Sequence, residues 1–225
     1  MTTPIPTSSR IIHHADALVW LKEQGVLPGC SFVTSLPDYS EFSHLSLNEW
    51  KVWFVNAAKL VLASCPDDGI TLFFQTDIKV DGVWVDKSFF CQQAAEATGS
   101  ELIAHKIICR LPSGSVTQGR PTYSHLVCFS KKIRPSLLHS SPDVLPSVGK
   151  STWTRGMGVN ACRLACKMIL QNTETRTIVD PFCGHGTVLA VANEMGMNAI
   201  GVELSRKRVK KAQNLTLENI IHGSR

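Results

Sequence analysis

The sequence contains no apolar run near the ~18 residues that a membrane-spanning helix requires, so an integral membrane protein is excluded. Its start, Met1 to Ser9, is rich in Thr, Pro and Ser but has no basic beginning followed by an apolar stretch. No secretory signal is read there, and a short organellar leader stays open. No two of the eight cysteines stand in CxxC spacing; Cys162 and Cys166 lie one helical turn apart without a second ligand pair nearby. Buried free thiols in a reducing, cytoplasmic compartment are therefore expected in place of disulfides or zinc. There is no internal repeat, no low-complexity tract, no Ser-His-Asp elbow and no metal triad, so no metal is expected. Charged residues make up only 18%, against 44% hydrophobic, which excludes disorder as the dominant state.

What remains is a chain of 225 residues, long enough for one sizeable core and short for two. Its net charge of +5 is uneven. Residues 1–149 carry −1 and residues 150–225 carry +6, much of it in Arg206, Lys207, Arg208, Lys210 and Lys211. Such a run suits a phosphate backbone, and equally a solvated helix face. Short β-branched runs alternate with longer amphipathic stretches, the pattern of a layered α/β domain. Strands are read at 10–14, 31–35, 70–77, 102–110, 123–130, 177–180 and 198–203, with a small hairpin at 78–85. Helices are read at 16–23, 47–63, 87–98, 158–171, 187–195 and 206–218. Ser46 and Glu49 form a capping-box pattern before the second of these. The two late strands with no helix between them suggest an antiparallel pair at one sheet edge.

The densest constellation is 177–203, which runs Thr-Ile-Val-Asp-Pro-Phe-Cys-Gly-His-Gly-Thr and closes on Ile-Gly-Val-Glu. A strand enters a Gly-containing turn that opens a helix, and a second strand ends in an acid. Gly184 and Gly186 let a ligand approach the backbone, and the free N–H groups of the helix start favour a carboxylate or phosphate. Glu203 follows Gly184 at about the ~20-residue spacing that sets an acid on ribose hydroxyls in nucleotide-binding α/β folds. A dinucleotide fingerprint would need a third glycine where Leu189 stands, and no Gly-Lys-Ser/Thr follows, so NAD and phosphate-loop readings are disfavoured.

The segment resembles motif I of class I S-adenosylmethionine-dependent methyltransferases, in the Asp-Pro-Phe-x-Gly-x-Gly-Thr version of nucleic-acid amino-methyltransferases. The resemblance implies a seven-stranded, mostly parallel, doubly wound sheet. It implies that Asp180, Pro181, Phe182, Cys183, Gly184, His185, Gly186 and Thr187 hold the methionine part of S-adenosyl-L-methionine. Glu203, with Leu204 beside it, would hold the ribose. In most of the family this motif comes first; here it comes near the end. Ile11–Leu21, with Asp16 and Ala17, resembles the family's third strand and its adenine-facing acid. Ser31–Asp38 resembles motif IV at the end of the fourth strand. The chain is thus similar to a circularly permuted member, one domain over 1–225. It divides into a flexible N-terminus (1–9), a target-pocket half (10–149) and a cofactor-binding half (150–219).

Motif IV departs from the family's pattern. Ser35 and Pro37 are kept, but Leu36 stands for the first proline and Asp38 for the aromatic, with Tyr39 one place late. A carboxylate there points away from plain exocyclic-amine methylation and toward proton removal. Asp38 is the candidate base or substrate anchor, or else a turn or helix cap before Glu41. Ser35 and Pro37 complete the expected catalytic corner, and Ser35 is also expected at the cofactor. Gln75 and Asp77, at the end of the next strand, and Arg120 and Tyr123, flanking the long 111–122 loop, are expected with Tyr39 on the substrate. No Pro-Cys site accompanies motif IV, so covalent pyrimidine methylation is unsupported. The motif I subtype and the basic run favour RNA, tRNA foremost, as substrate. DNA, a small molecule or a protein, or a non-catalytic subunit needing a partner, are the alternatives, and a protein partner or homo-oligomer stays open.

Overall fold

The computed structural model describes residues 8–135 and 140–223. Of the N-terminal stretch read as flexible, 1–7 lies outside the described residues. Ten strands form, β1 (Arg10–His14), β2 (Cys30–Thr34), β3 (Thr71–Gln75), β4 (Ile78–Val80), β5 (Val83–Val85), β6 (Glu101–Cys109), β7 (Tyr123–Ser130), β8 (Val144–Leu145), β9 (Thr177–Asp180) and β10 (Asn198–Glu203). Seven helices lie between and after them: α1 (Ala17–Gln24), α2 (Leu47–Ser64), α3 (Lys87–Glu96), α4 (Val159–Asn172), α5 (Thr187–Glu194), α6 (Arg206–Asn214) and α7 (Leu217–His222).

The main sheet has eight strands in the order β1-β10-β9-β2-β3-β7-β6-β8, one more than the seven expected, and β4-β5 form a separate hairpin. The extra strand, β8, is two residues long and too short to leave a periodic signal. Neighbours β1/β10, β10/β9, β9/β2, β2/β3 and β6/β8 run parallel. β7 runs antiparallel to both β3 and β6. The expected β6–β7 antiparallel pair therefore forms, but β8 covers the edge that β6 would have left open.

Alternation along the strands builds two cores. Phe32 and Phe73 join the cluster under α1, α2 and α3. Val33, Leu72 and Phe74 join the one under α4, α5 and α7. Helices on both faces of a parallel sheet make its strands apolar almost throughout, as β2 and β3 are. α2 starts on the capping box expected of Ser46 and Glu49, with the Ser46 N–H donated to Glu49 Oε2 at 2.8 Å.

One helix was expected over 206–218, and two form. Arg10, from the far end of the chain, donates through Nη1 to the carbonyls of Ala212 at 2.9 Å and Leu215 at 2.6 Å. Leu215 turns extended, and Thr216 Oγ1 then caps α7 by accepting the Asn219 N–H at 3.2 Å. These two helix ends and Arg10 tie the chain's first strand to its last helices.

The order of connections decides where a ligand goes. From β9 the chain turns through α5 to β10 on one side, and from β2 it turns through α2 to β3 on the other. The strand order therefore diverges between β9 and β2, and open α/β sheets bind ligands beyond the strand ends at such a point.

Candidate active site

A cavity of about 950 Å³ opens there, at the carboxyl ends of β9, β10, β1, β2 and β3. Its two ends are lined by different halves of the chain. Asp16, Ala17, Glu203, Leu204 and Arg208 lie at one end, and Ser35, Pro37, Asp38, Thr76 and Arg120 line the other. The 180–187 loop lines it between them.

That loop is held from both neighbouring strands. Asp180, 3% exposed, accepts from Thr34 Oγ1 at 2.7 Å and from the Phe182 N–H at 3.2 Å, both on Oδ1. Burial pushes its carboxyl up to about 7, the two hydrogen bonds opposing the rise and Glu203 adding to it. The Thr34 contact fixes the end of β2, and thus Ser35, against the start of the loop. Gly184 has a left-handed φ of 54°, and a Cβ there would meet open space, so its backbone faces the cavity bare. Gly186 differs. At φ 83° a Cβ on it would stand 2.9 Å from the Ala212 Cβ, so this glycine permits the close approach of α6 and does not itself line the cavity. α5 begins directly after it, presenting its free N–H groups to the loop.

His185 Nδ1 lies 3.2 Å from Thr152 Oγ1, and burial lowers its pKa, with Lys211 and Arg208 lowering it further. The 151–157 segment lines the cavity above the loop. It is braced at two points: Arg155 Nη1 donates to Ser40 Oγ at 3.0 Å, and Arg110 donates to the Thr154 carbonyl. At the far end of β10, Glu203 is 8% exposed; its Oε1 accepts the Ser205 N–H at 2.7 Å and lies 3.9 Å from Arg208 Nη1. Asp16 caps α1, its Oδ1 accepting the N–H groups of Leu18 and Val19 at 2.9 and 3.0 Å. These residues set a bare glycine turn, a helix start and a buried carboxylate along one cavity.

On the target side lies Asp38. It stands at the start of a 3-10 turn, its N–H donated to Glu41 Oε1 at 3.0 Å. Its carboxylate lines the cavity and meets Arg120 Nη2 at 3.3 Å. The other expected substrate residues are not brought there. Tyr39 packs its ring on Trp50, 5.8 Å between centroids. Gln75 is fully buried on the Phe73 face of β3, its amide without a hydrogen-bond partner. Tyr123 sits edge-on to His125 on β7. Asp77 is buried in a brace: it accepts the Lys87 N–H at 2.9 Å and faces His125 Nε2 at 3.0 Å. Asp77, Asp86 and His125 bring ligand atoms within 4.8 Å of one another, a grouping the sequence reading missed. Both carboxylates are already engaged at the start of α3, Asp86 by Ser88 Oγ at 2.7 Å and the Phe89 N–H at 2.9 Å.

The structure also adds residues. Phe42 and Trp53, with centroids 4.4 Å apart, line the cavity as an aromatic wall beside Phe182. Lys87 lines it too, 3% exposed. A lysine at a helix start ordinarily reads as solvated, so nothing in the local sequence marks it.

The comparisons with known proteins agree with this geometry. A family model described as DNA methylase matches residues 162–214. No curated protein matches. The PvuII DNA methyltransferase, cytosine-N4-specific, superposes with a TM-score of 0.70 at 18% identity, over 95% of this chain and 90% of that one. TTHA0409 of Thermus thermophilus, complexed with S-adenosyl-L-methionine, gives 0.68 at 16% identity, over 96% and 97%. M1.HpyAVI, also with the cofactor, gives 0.61 at 15% identity, over 92% and 100%. The expected RNA partner is overturned here: the matching family is one of DNA methylases, and the PvuII enzyme acts on DNA. Among the described residues no helix is long and apolar enough to cross a membrane. The chain shares the fold of these methyltransferases, one of them complexed with S-adenosyl-L-methionine, and its residues 162–214 match the DNA methylase family model.

Proposed function

We propose that the chain methylates an exocyclic amine of a base in DNA. The observation that carries this is the junction of two strand ends. Thr34 holds Asp180 at 2.7 Å, so the Ser35–Asp38 corner and the 180–187 loop open into one cavity. The DNA methylase match supports the substrate class. It also restores the amine that the altered motif IV had put aside.

S-adenosylmethionine supplies a methyl group on a positively charged sulfur. The residues expected to hold it are Asp180 to Thr187 at the methionine part, Glu203 with Leu204 at the ribose, and Asp16 and Ala17 at the adenine. Gly186 serves by letting α6 close on the loop. The chain's remaining task is to place an amine in line and to remove one proton. Asp38 takes that role: its carboxylate accepts an amine N–H, and Arg120 fixes its orientation. Ser35 and Pro37 shape the turn that holds it. The aromatic wall of Phe42 and Trp53 suits an extruded base, which must be drawn out of the duplex to reach such a cavity. The strand connectivity supports a circularly permuted family member, entering at the third strand and ending after the second. The eight unpaired cysteines, seven of them buried, support an intracellular, reducing setting.

Asp38→Asn tests the assignment. It should abolish methyl transfer to duplex DNA while cofactor affinity, read by calorimetry, stays unchanged. Retained activity in the Asp38→Asn variant would remove Asp38 from the proton step.

A further inference from the structure

Lys87 is buried for a reason that lies on either side of it. Asp77 Oδ1 accepts its N–H at 2.9 Å, and Asp86 Oδ1 accepts the Phe89 N–H at 2.9 Å. These two carboxylates pin the start of α3 and hold Lys87 in the cavity wall beside Ser35, Asp38, Thr76 and Arg120. Its side chain is all but sealed from bulk solvent, with the residue 3% exposed. Among the described residues its ammonium makes no hydrogen bond and no ion pair within 4.0 Å, because Asp77 is taken by His125 and Asp38 by Arg120. Burial lowers its pKa, with Asp38 as the leading opposing charge. Its ammonium therefore opens only on the cavity, where a bound group can supply the acceptor that the protein does not.

The target end of the cavity thus offers one acceptor, Asp38, and two cationic donors, Lys87 and Arg120, of which only Arg120 is paired. We propose that Lys87 reads a carbonyl oxygen of the target base, so that the site takes an amino-oxo base, cytosine or guanine, over adenine. This rests on the DNA-base reading above. The pairing edges of the bases differ in the needed way. Cytosine carries an amine, a ring nitrogen and a carbonyl oxygen. Guanine carries an amine, a ring N–H and a carbonyl oxygen. Adenine carries an amine and a ring nitrogen followed by C–H. All three give Asp38 an amine, but adenine has a C–H where cytosine and guanine carry the carbonyl oxygen, so Lys87 loses its acceptor at that position. A site built to bond a polar group discriminates strongly against an analogue that lacks it.

The test uses the full chain, methyl-labelled S-adenosylmethionine and duplex DNA, followed by digestion to nucleosides. Label is expected in cytosine or guanine, and the digest says which. Lys87→Met should lower kcat/KM on that base by about tenfold to a hundredfold, the range for a hydrogen bond to a charged group. Cofactor affinity should stay unchanged, which also reports that the variant folds. Lys87→Arg should restore part of the rate, because it keeps a cationic donor. Label in adenine would overturn this inference and leave the proposed function standing. So would a Lys87→Met variant with wild-type kcat/KM. No label in any DNA base would overturn the proposed function and this inference with it.

Discussion

Replacing Asp180 with asparagine should remove a pH dependence that wild-type stability carries. In the unfolded chain this carboxyl releases its proton near the ordinary 3.8, whereas in the native state burial holds the proton to about 7. The native state therefore binds more protons across that window. Its stabilisation is full below about 3.8 and is lost progressively as pH rises through about 7. The difference corresponds to roughly 4 kcal/mol. An asparagine oxygen can still accept from Thr34 Oγ1 and the Phe182 N–H, which both use Oδ1. Its amide donors, however, enter a buried site, at a cost of about 1–3 kcal/mol if left unpaired. Absolute stability of the variant is therefore a poor readout, and the slope is the good one. Unfolding free energies from urea titrations between pH 4.5 and 8.5 should fall for the wild type relative to Asp180→Asn by an amount approaching that figure. Parallel curves would refute the claim that Asp180 is protonated in the native state at low pH and ionised at a cost above neutrality.

Other expectations follow from the same geometry. Glu203→Ala removes a buried carboxylate from the cavity wall and should weaken S-adenosylmethionine binding by tenfold or more, about 1.5–3 kcal/mol for hydrogen bonds to a charged group. Unchanged affinity by calorimetry would sink the ribose assignment. Gly186→Ala places a Cβ 2.9 Å from the Ala212 Cβ and 3.0 Å from its Cα, at φ 83°. It should destabilise by about 2–4 kcal/mol through strain and overpacking, and an unshifted denaturation midpoint would refute the close-approach argument.

The 177–203 segment was legible because its signals are local. Thr177–Asp180 and Asn198–Glu203 form the strands that their β-branched runs announce, and the glycine turn and the acid follow at readable spacing. The break between α6 and α7 was not legible, because the guanidinium that takes the Ala212 and Leu215 carbonyls belongs to Arg10, at the other end of the chain. The substrate side failed for a related reason. Gln75 and Phe73 share one face of β3, and parity alone sends that face into the core under α1, α2 and α3. Asp77 was legible as a carboxylate at a strand end, but its partner His125 comes from β7 and the N–H it accepts from α3. Lys87 shows the converse: the carboxylate that takes its N–H is Asp77, from beyond the end of β3, and no residue of α3 itself marks the burial. Arg120 alone among the expected substrate residues reaches the cavity, through its ion pair with Asp38.

The most direct test of the central claim is the destination of the methyl group. The purified chain, given methyl-labelled S-adenosylmethionine with duplex DNA, RNA and protein extract in parallel, should place label in the DNA, on an amine of a base. Label in RNA or protein with none in DNA would contradict the account.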